Sequence, residues 1–232
     1  MAARGDIELL FADDAVVVAN KPSGLLVHRG WENDDDVAMF RVRDAVGAHV
    51  HPVHRLDRGT SGALVLARTA EAAATLGRAF AEGRVEKRYL ALVRGTPPEA
   101  GVVDHAIPAK EGARERVPAL TRYRLVARSP VERCSLVEAM PATGRLHQVR
   151  RHLKHLSHPI VGDVNYGKGD VNRHFRERYG LHRLALHAHI VAFAHPTTGT
   201  RLVVRAPLPP DFAAVLAALG LPVDPVALGA AP

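Results

Sequence analysis

His54-Arg55-Leu56-Asp57-Arg58-Gly59-Thr60-Ser61-Gly62 sets a carboxylate between two arginines, in a segment bent by two glycines. The apolar run at 63–67 follows at once, so the stretch reads as a tight loop feeding a buried strand. Flanking guanidinium groups favour the ionised form of Asp57. An ionised carboxylate suits a nucleophile or a base better than a proton donor. The plainer reading is an Asp–Arg pair that stabilises a turn, since structural ion pairs create the same electrostatics.

Outward from this loop the chain alternates between strand and helix signals. Residues 15–19 (AVVVA) predict a buried strand, with a turn at Asn20-Lys21-Pro22-Ser23-Gly24 and an acidic loop or helix start at 32–36. The spacing of Ala73, Leu76, Ala79 and Phe80 predicts a helix over 70–82, stopped by Gly83. Strands are predicted at 87–94, 123–127, 134–139, 184–194 and 202–205, the last two joined by a turn at 196–199. Residues 96–118, rich in Pro, Gly and charge, read as a loop or hairpin excursion. Helices are predicted at 145–156, 171–178 and 211–219. Strands outnumber helices and their spacing favours antiparallel pairing. The fold class is α+β, a mixed, largely antiparallel sheet with flanking helices. Residues 1–220 read as a single catalytic domain with no appended module, followed by a poorly ordered tail at 221–232.

Composition narrows the function. The 232 residues hold 31 Lys+Arg against 24 Asp+Glu, a net +7, with 14 His besides. A pI near 10.1 suits a polyanionic partner. The single cysteine, Cys134, excludes an internal disulfide and a multi-cysteine zinc site. It sits among Ser, Leu and Val and reads as a small buried residue rather than a nucleophile. Acidic residues occupy the place of a signal peptide's apolar core, and no apolar run reaches the roughly 20 residues that span a bilayer. These features predict a cytoplasmic protein without membrane contact.

On the helix at 145–156, Leu146, Val149, Leu153 and Leu156 fall on one stripe, which faces the core. Arg151, Lys154 and His155 fall on the open side, where they could meet phosphates or simply be solvated. Arg150 falls at the boundary, where an arginine can reach a buried carboxylate from a rigid element. His152, His155 and His158, with Asp163 as an oxygen donor, invite a metal reading, but no HExxH pattern or cysteine supports it. Tyr89, on the strand at 87–94, reads as a core tyrosine or as a face on which a base stacks.

Taken together these segments resemble the RluA-type family of pseudouridine synthases. Asn20 to His28 is similar to its first motif and His54 to Gly62 to its catalytic motif. Lys87-Arg88-Tyr89 is similar to its tyrosine motif. Thr143 to Arg150, continuing through His158-Pro159-Ile160-Val161-Gly162-Asp163, is similar to its third motif. The resemblance implies a central active-site cleft and an isomerase that needs neither cofactor nor metal. It implies Asp57 as the catalytic aspartate and Tyr89 as the tyrosine that stacks on uracil and helps remove the carbon-5 proton. It implies Arg150 as the arginine paired with the aspartate, and Arg55 as a residue near the flipped nucleotide. Arg58, Thr60, His147, Gln148, Arg151 and Lys154 join Arg55 as substrate-binding candidates. Residues 151–156 and Asn172 to Glu177 resemble the TruC-like branch, whose members modify tRNA at position 65. The expected partner is therefore tRNA, with 23S rRNA as the alternative, bound by a monomer. A non-catalytic RNA-binding protein and a metal-dependent hydrolase are the readings from other classes.

Overall fold

The computed structural model describes residues 5–29 and 35–223. In chain order the elements are β1 (Glu8–Ala12), β2 (Val16–Lys21), α1 (Ala38–Val46), β3 (His51–Pro52), β4 (Ser61–Ala67), α2 (Ala70–Ala81) and β5 (Glu86–Arg94). Then come β6 (Ala100–Asp104), β7 (Ile107–Pro108), β8 (Arg116–Val117), β9 (Leu120–Arg128), β10 (Cys134–Pro141) and α3 (Gln148–His155). The chain closes with α4 (Gly169–Tyr179), β11 (Leu186–Ala194), β12 (Arg201–Arg205) and α5 (Pro210–Ala218). It divides into two compact units, one of residues 1–87 and 188–206, the other of residues 88–187 and 207–232.

The first unit is a sheet of order β1-β2-β4-β11, extended by β12 on β11 and β3 on β4. β2 and β4 run antiparallel from Val16↔Ala67 to Lys21↔Gly62. All seven residues of β4 are buried, and so are Val16–Ala19 of β2. Both faces of these strands are covered, which is why they read as continuous apolar runs rather than alternating ones. α2 supplies one cover. Thr69 caps it by accepting the Ala72 N–H at 3.1 Å, and Ala72, Leu76 and Ala79 pack with Val16, Val18, Val65 and Phe193.

The second unit is a sheet of order β5-β10-β9-β6, antiparallel at each junction. Val149 and Leu153 of α3, Phe175 of α4, and Phe212 and Leu216 of α5 join Leu90, Leu92 and Leu136 in its core. The excursion at 96–118 is partly sheet and partly arm. β6 pairs with β9, while β7 and β8 form a separate two-stranded arm.

Several boundaries differ from expectation. α3 begins at Gln148, not at 145, because His147 takes a left-handed conformation at φ 53° and residues 145–147 form a turn. Of the predicted stripe, Val149 and Leu153 are buried, but Leu146 and Leu156, at the helix ends, are only partly so. α1 is not predicted as a helix, beyond the reading of 32–36 as an acidic loop or helix start. Its N-cap, Val37, makes no side-chain cap bond, and its end rests on Gly47 in the left-handed region. Part of the acidic patch at 32–36 and residues 224–232 of the expected tail lie outside the described residues, whereas Leu221 is buried.

Candidate active site

In the first unit, the loop between β3 and β4 carries Asp57, half-buried, with its carbonyl accepting the Thr60 N–H at 3.0 Å. The turn at 20–25 grips this loop. Lys21 is fully buried, and its ammonium donates to the carbonyls of Pro22 (2.9 Å), Leu25 (2.6 Å) and Arg58 (3.2 Å). A buried cation is tolerable only with its donors satisfied, so the lysine fixes the path of both segments. Ser23 Oγ donates to the Gly59 carbonyl at 2.7 Å, the Gly24 N–H to the Arg58 carbonyl at 2.8 Å, and Arg58 Nε back to the Gly24 carbonyl at 3.0 Å. Gly62 holds φ 113°, and a side chain there would strike the Ala188 carbonyl.

The neighbours of Asp57 divide in role. Arg55 is exposed and makes no hydrogen bond or ion pair through its guanidinium among the described residues. Arg58 is exposed but tied to Gly24. Thr60, only 2% exposed, lies inside the loop rather than on its surface. His54 accepts the Val65 N–H on Nε2 at 2.9 Å and stacks on Phe80 at 4.3 Å. Burial, helped by the charge of Lys87 and opposed by a backbone bond at Arg55, pushes its pKa down to about 3. The imidazole is therefore neutral and serves as a strut. Burial also pushes Lys87 down to about 8.

In the second unit, Tyr89 lies on β5 opposite Ala139 and packs partly buried against the core. Arg150 is buried on α3 and forms a two-point ion pair with Asp163, Nε to Oδ2 at 2.7 Å and Nη2 to Oδ1 at 2.9 Å. Asp163 also accepts the N–H groups of Asn165 (2.9 Å) and Tyr166 (3.0 Å). Burial alone would raise its pKa, but Arg150 and these two N–H groups outweigh it and hold the carboxyl below its ordinary value. The Tyr166 ring faces Arg150 at 5.0 Å and Arg151 at 5.6 Å. Its hydroxyl accepts from Arg151 Nε at 2.8 Å and lies 3.0 Å from His147 Nδ1.

Gln148 is buried and saturated. Its amide donates to the Leu120 carbonyl and the Thr121 hydroxyl, and its oxygen accepts from the Thr143 hydroxyl and the Arg145 N–H. It anchors the start of α3. Arg151, expected on the open side, is partly buried and also donates to the Pro108 carbonyl at 3.3 Å. Lys154 is exposed and unpaired among the described residues. His152 is fully buried between the Thr121 hydroxyl and the His105 carbonyl, both at 2.9 Å. His155 stacks on His105 at 3.9 Å, and His158 bonds the Arg94 carbonyl. These ring positions, and Asp163 on Arg150, leave no group of three His, Cys, Asp or Glu among the described residues suited to a metal ion.

Three residues were given no role by the sequence. Lys21 was legible as part of a turn and of the first motif, Asp163 as a possible metal ligand and as the end of the third motif, and Tyr166 not at all. The regular spacing Gly162-Asp163-x-x-Tyr166 was the available signal.

A chain that presents a carboxylate on a lysine-braced loop, with a buried arginine held in a two-point pair, matches known proteins in both sequence and shape. Residues 15–155 fit the family model described as RNA pseudouridylate synthase, and the chain belongs to that family and is an isomerase. Within the family it is 41% identical over 221 residues to the tRNA pseudouridine synthase C of Vibrio parahaemolyticus, covering 87% of this chain and 90% of that one. It is also 41% identical over 234 residues to the protein of the same name in Salmonella typhi, covering 92% and 90%. Among solved structures, human RNA Pseudouridylate Synthase Domain Containing 4 superposes with a TM-score of 0.77 at 30% identity, covering 93% of this chain and 94% of that one. No helix among the described residues is long and apolar enough to cross a membrane.

Proposed function

We propose that this chain converts one uridine of tRNA, at position 65, to pseudouridine. The observation that carries the substrate is the 41% identity to tRNA pseudouridine synthase C over nine-tenths of that protein. The reaction is an isomerisation. The bond from the ribose carbon 1′ to uracil N1 breaks, the base turns, and carbon 1′ bonds to carbon 5. The carbon-5 proton leaves and N1 gains one, so no redox partner and no water are consumed. Asp57 is the carboxylate that drives cleavage, Tyr89 stacks on the uracil, and Arg150 is the arginine that serves the reaction. The loop geometry supports this reading, because the Lys21, Ser23 and Gly24 bonds hold the backbone around Asp57 before substrate arrives. Extracting the base costs a few kcal/mol of unstacking, which stacking and phosphate contacts offset. Arg55 and Lys154 are the exposed cations suited to those contacts. The working form is a cytoplasmic monomer.

Carbodiimide primer-extension mapping tests this directly. Total tRNA and total rRNA are each incubated with the protein and with Asp57→Asn. The expected result is a new stop at tRNA position 65, absent with the variant. A stop only in 23S rRNA would overturn the substrate, and no stop in either RNA would overturn the activity.

A further inference from the structure

The carboxylate of Asp163 divides its work between its two oxygens. Oδ1 closes the turn after Gly162 by accepting the N–H groups of Asn165 and Tyr166, and it also takes Nη2 of Arg150. Oδ2 has one partner among the described residues, Nε of Arg150, at 2.7 Å. An asparagine amide oxygen could meet every demand placed on Oδ1. Only the second oxygen requires an aspartate, and it acts on the arginine alone.

The rest of the surroundings restrains the same guanidinium. The Tyr166 ring closes one of its faces at 5.0 Å. Asn172 of α4 grips the Asp163 segment by donating Nδ2 to the Asp163 carbonyl at 2.9 Å and accepting the Gly162 N–H at 2.8 Å. Gly162 sits at φ 79°, where a side chain would strike the Arg183 carbonyl, so the segment cannot shift to make room for one. A buried ion pair is an inefficient way to stabilise a fold, because desolvation cancels most of the attraction. Its neighbours Val149 and Leu153 on α3 show what that site would hold for stability alone.

We propose that Asp163 is a positioning residue for the isomerisation. Its carboxylate locks the rotation of the Arg150 guanidinium from the Nε edge, so that Arg150 enters the reaction already oriented. The inference rests on the reading of Arg150 as a member of the reacting site. Orientation by a fixed carboxylate removes reorganisation at the moment of reaction, which appears in turnover rather than in RNA affinity.

The test is single-turnover and steady-state kinetics on tRNA with Asp163→Asn, Arg150→Lys, Arg150→Gln and the double variant Arg150→Lys/Asp163→Asn, all assayed well below their melting temperatures. Asp163→Asn keeps Oδ1 and places a donor against Nε. Its kcat is expected to fall about 10- to 100-fold with KM within about threefold. In the Arg150→Lys background, where no two-point pair exists, the same substitution is expected to change kcat less than about twofold. Unchanged kcat in folded Asp163→Asn, or an equal loss in both backgrounds, would overturn the positioning role. Full turnover by folded Arg150→Lys and Arg150→Gln would overturn the role of Arg150 itself, and this inference with it. A defect in Arg150→Gln without one in Asp163→Asn would overturn only the inference. Should Asp163→Asn fail to fold, nitrogen-15 spectra of the unsubstituted protein decide. An arginine Nε–H signal that disappears in Arg150→Lys should exchange slowly with solvent, and rapid exchange would overturn the lock.

Discussion

Lys21 places a charge where no water reaches it and directs its ammonium hydrogens at carbonyls of its own turn and of the loop that bears Asp57. Lys21→Met removes these donors and leaves buried carbonyls unsatisfied, a loss expected to destabilise the protein by about 3 kcal/mol in urea unfolding. Asp57→Asn should behave oppositely, with turnover abolished and tRNA affinity within a few-fold, as read by filter binding beside the mapping assay. His54 gives a pH signature. Its folded pKa, near 3, lies below the ordinary value of 6.5, so between those limits the unfolded chain binds a proton that the native chain does not. Stability is therefore expected to fall as pH drops below about 6.5, and thermal melts of His54→Gln from pH 7 to 5 should show a flatter dependence. At this scale the sequence was uneven. Asp57 announced itself through its two arginines and glycines. Lys21 looked like any lysine before a proline, because burial is decided by what folds over a residue.

The elements were legible where periodicity was strong. α2 shows its face at Ala72, Leu76 and Ala79 and its cap at Thr69, and the predicted 70–82 lies within a residue of the observed span. Leu76→Ala is expected to destabilise by about 2–5 kcal/mol in denaturant titration, because the side chain is wholly buried. α3 was legible as a helix but not in its start, since a left-handed histidine has no sequence signature, nor in the way its cations are used. Arg151 is occupied by Tyr166 and Pro108, whereas Lys154 is not. Lys154→Ala should lower the slope of log affinity against log salt by about 1 with the melting temperature unchanged. Arg151→Ala should lower the melting temperature as well, by loosening the β7–β8 arm.

Across the whole molecule, the predicted strands and helices are largely present, and the α+β class with its mostly antiparallel sheet holds. Pairing was the part hidden from the sequence. The stretch at 184–194 reads plainly as a strand, but nothing local says that it lies beside β4 in the first unit, more than a hundred residues back. Such long-range pairings are selected by the assembled core rather than by propensity. The same holds for the division into two units, which leaves no linker in the composition. A net charge of +7 gives the molecule a field that favours RNA at any register. Its overall tRNA affinity is accordingly expected to fall steeply between about 50 and 200 mM salt.

The first unit is written in two pieces, 1–87 and 188–206, with the hundred residues 88–187 between them. During synthesis at about 5–20 residues per second, the first piece therefore leaves the ribosome roughly 5–20 s before the strand that completes its sheet. Through that interval β4, apolar from Ala63 to Ala67, has an open edge where β11 will later bind. The order of the elements thus turns a finished fold into a waiting time, in which the unpaired edge is open to other strands.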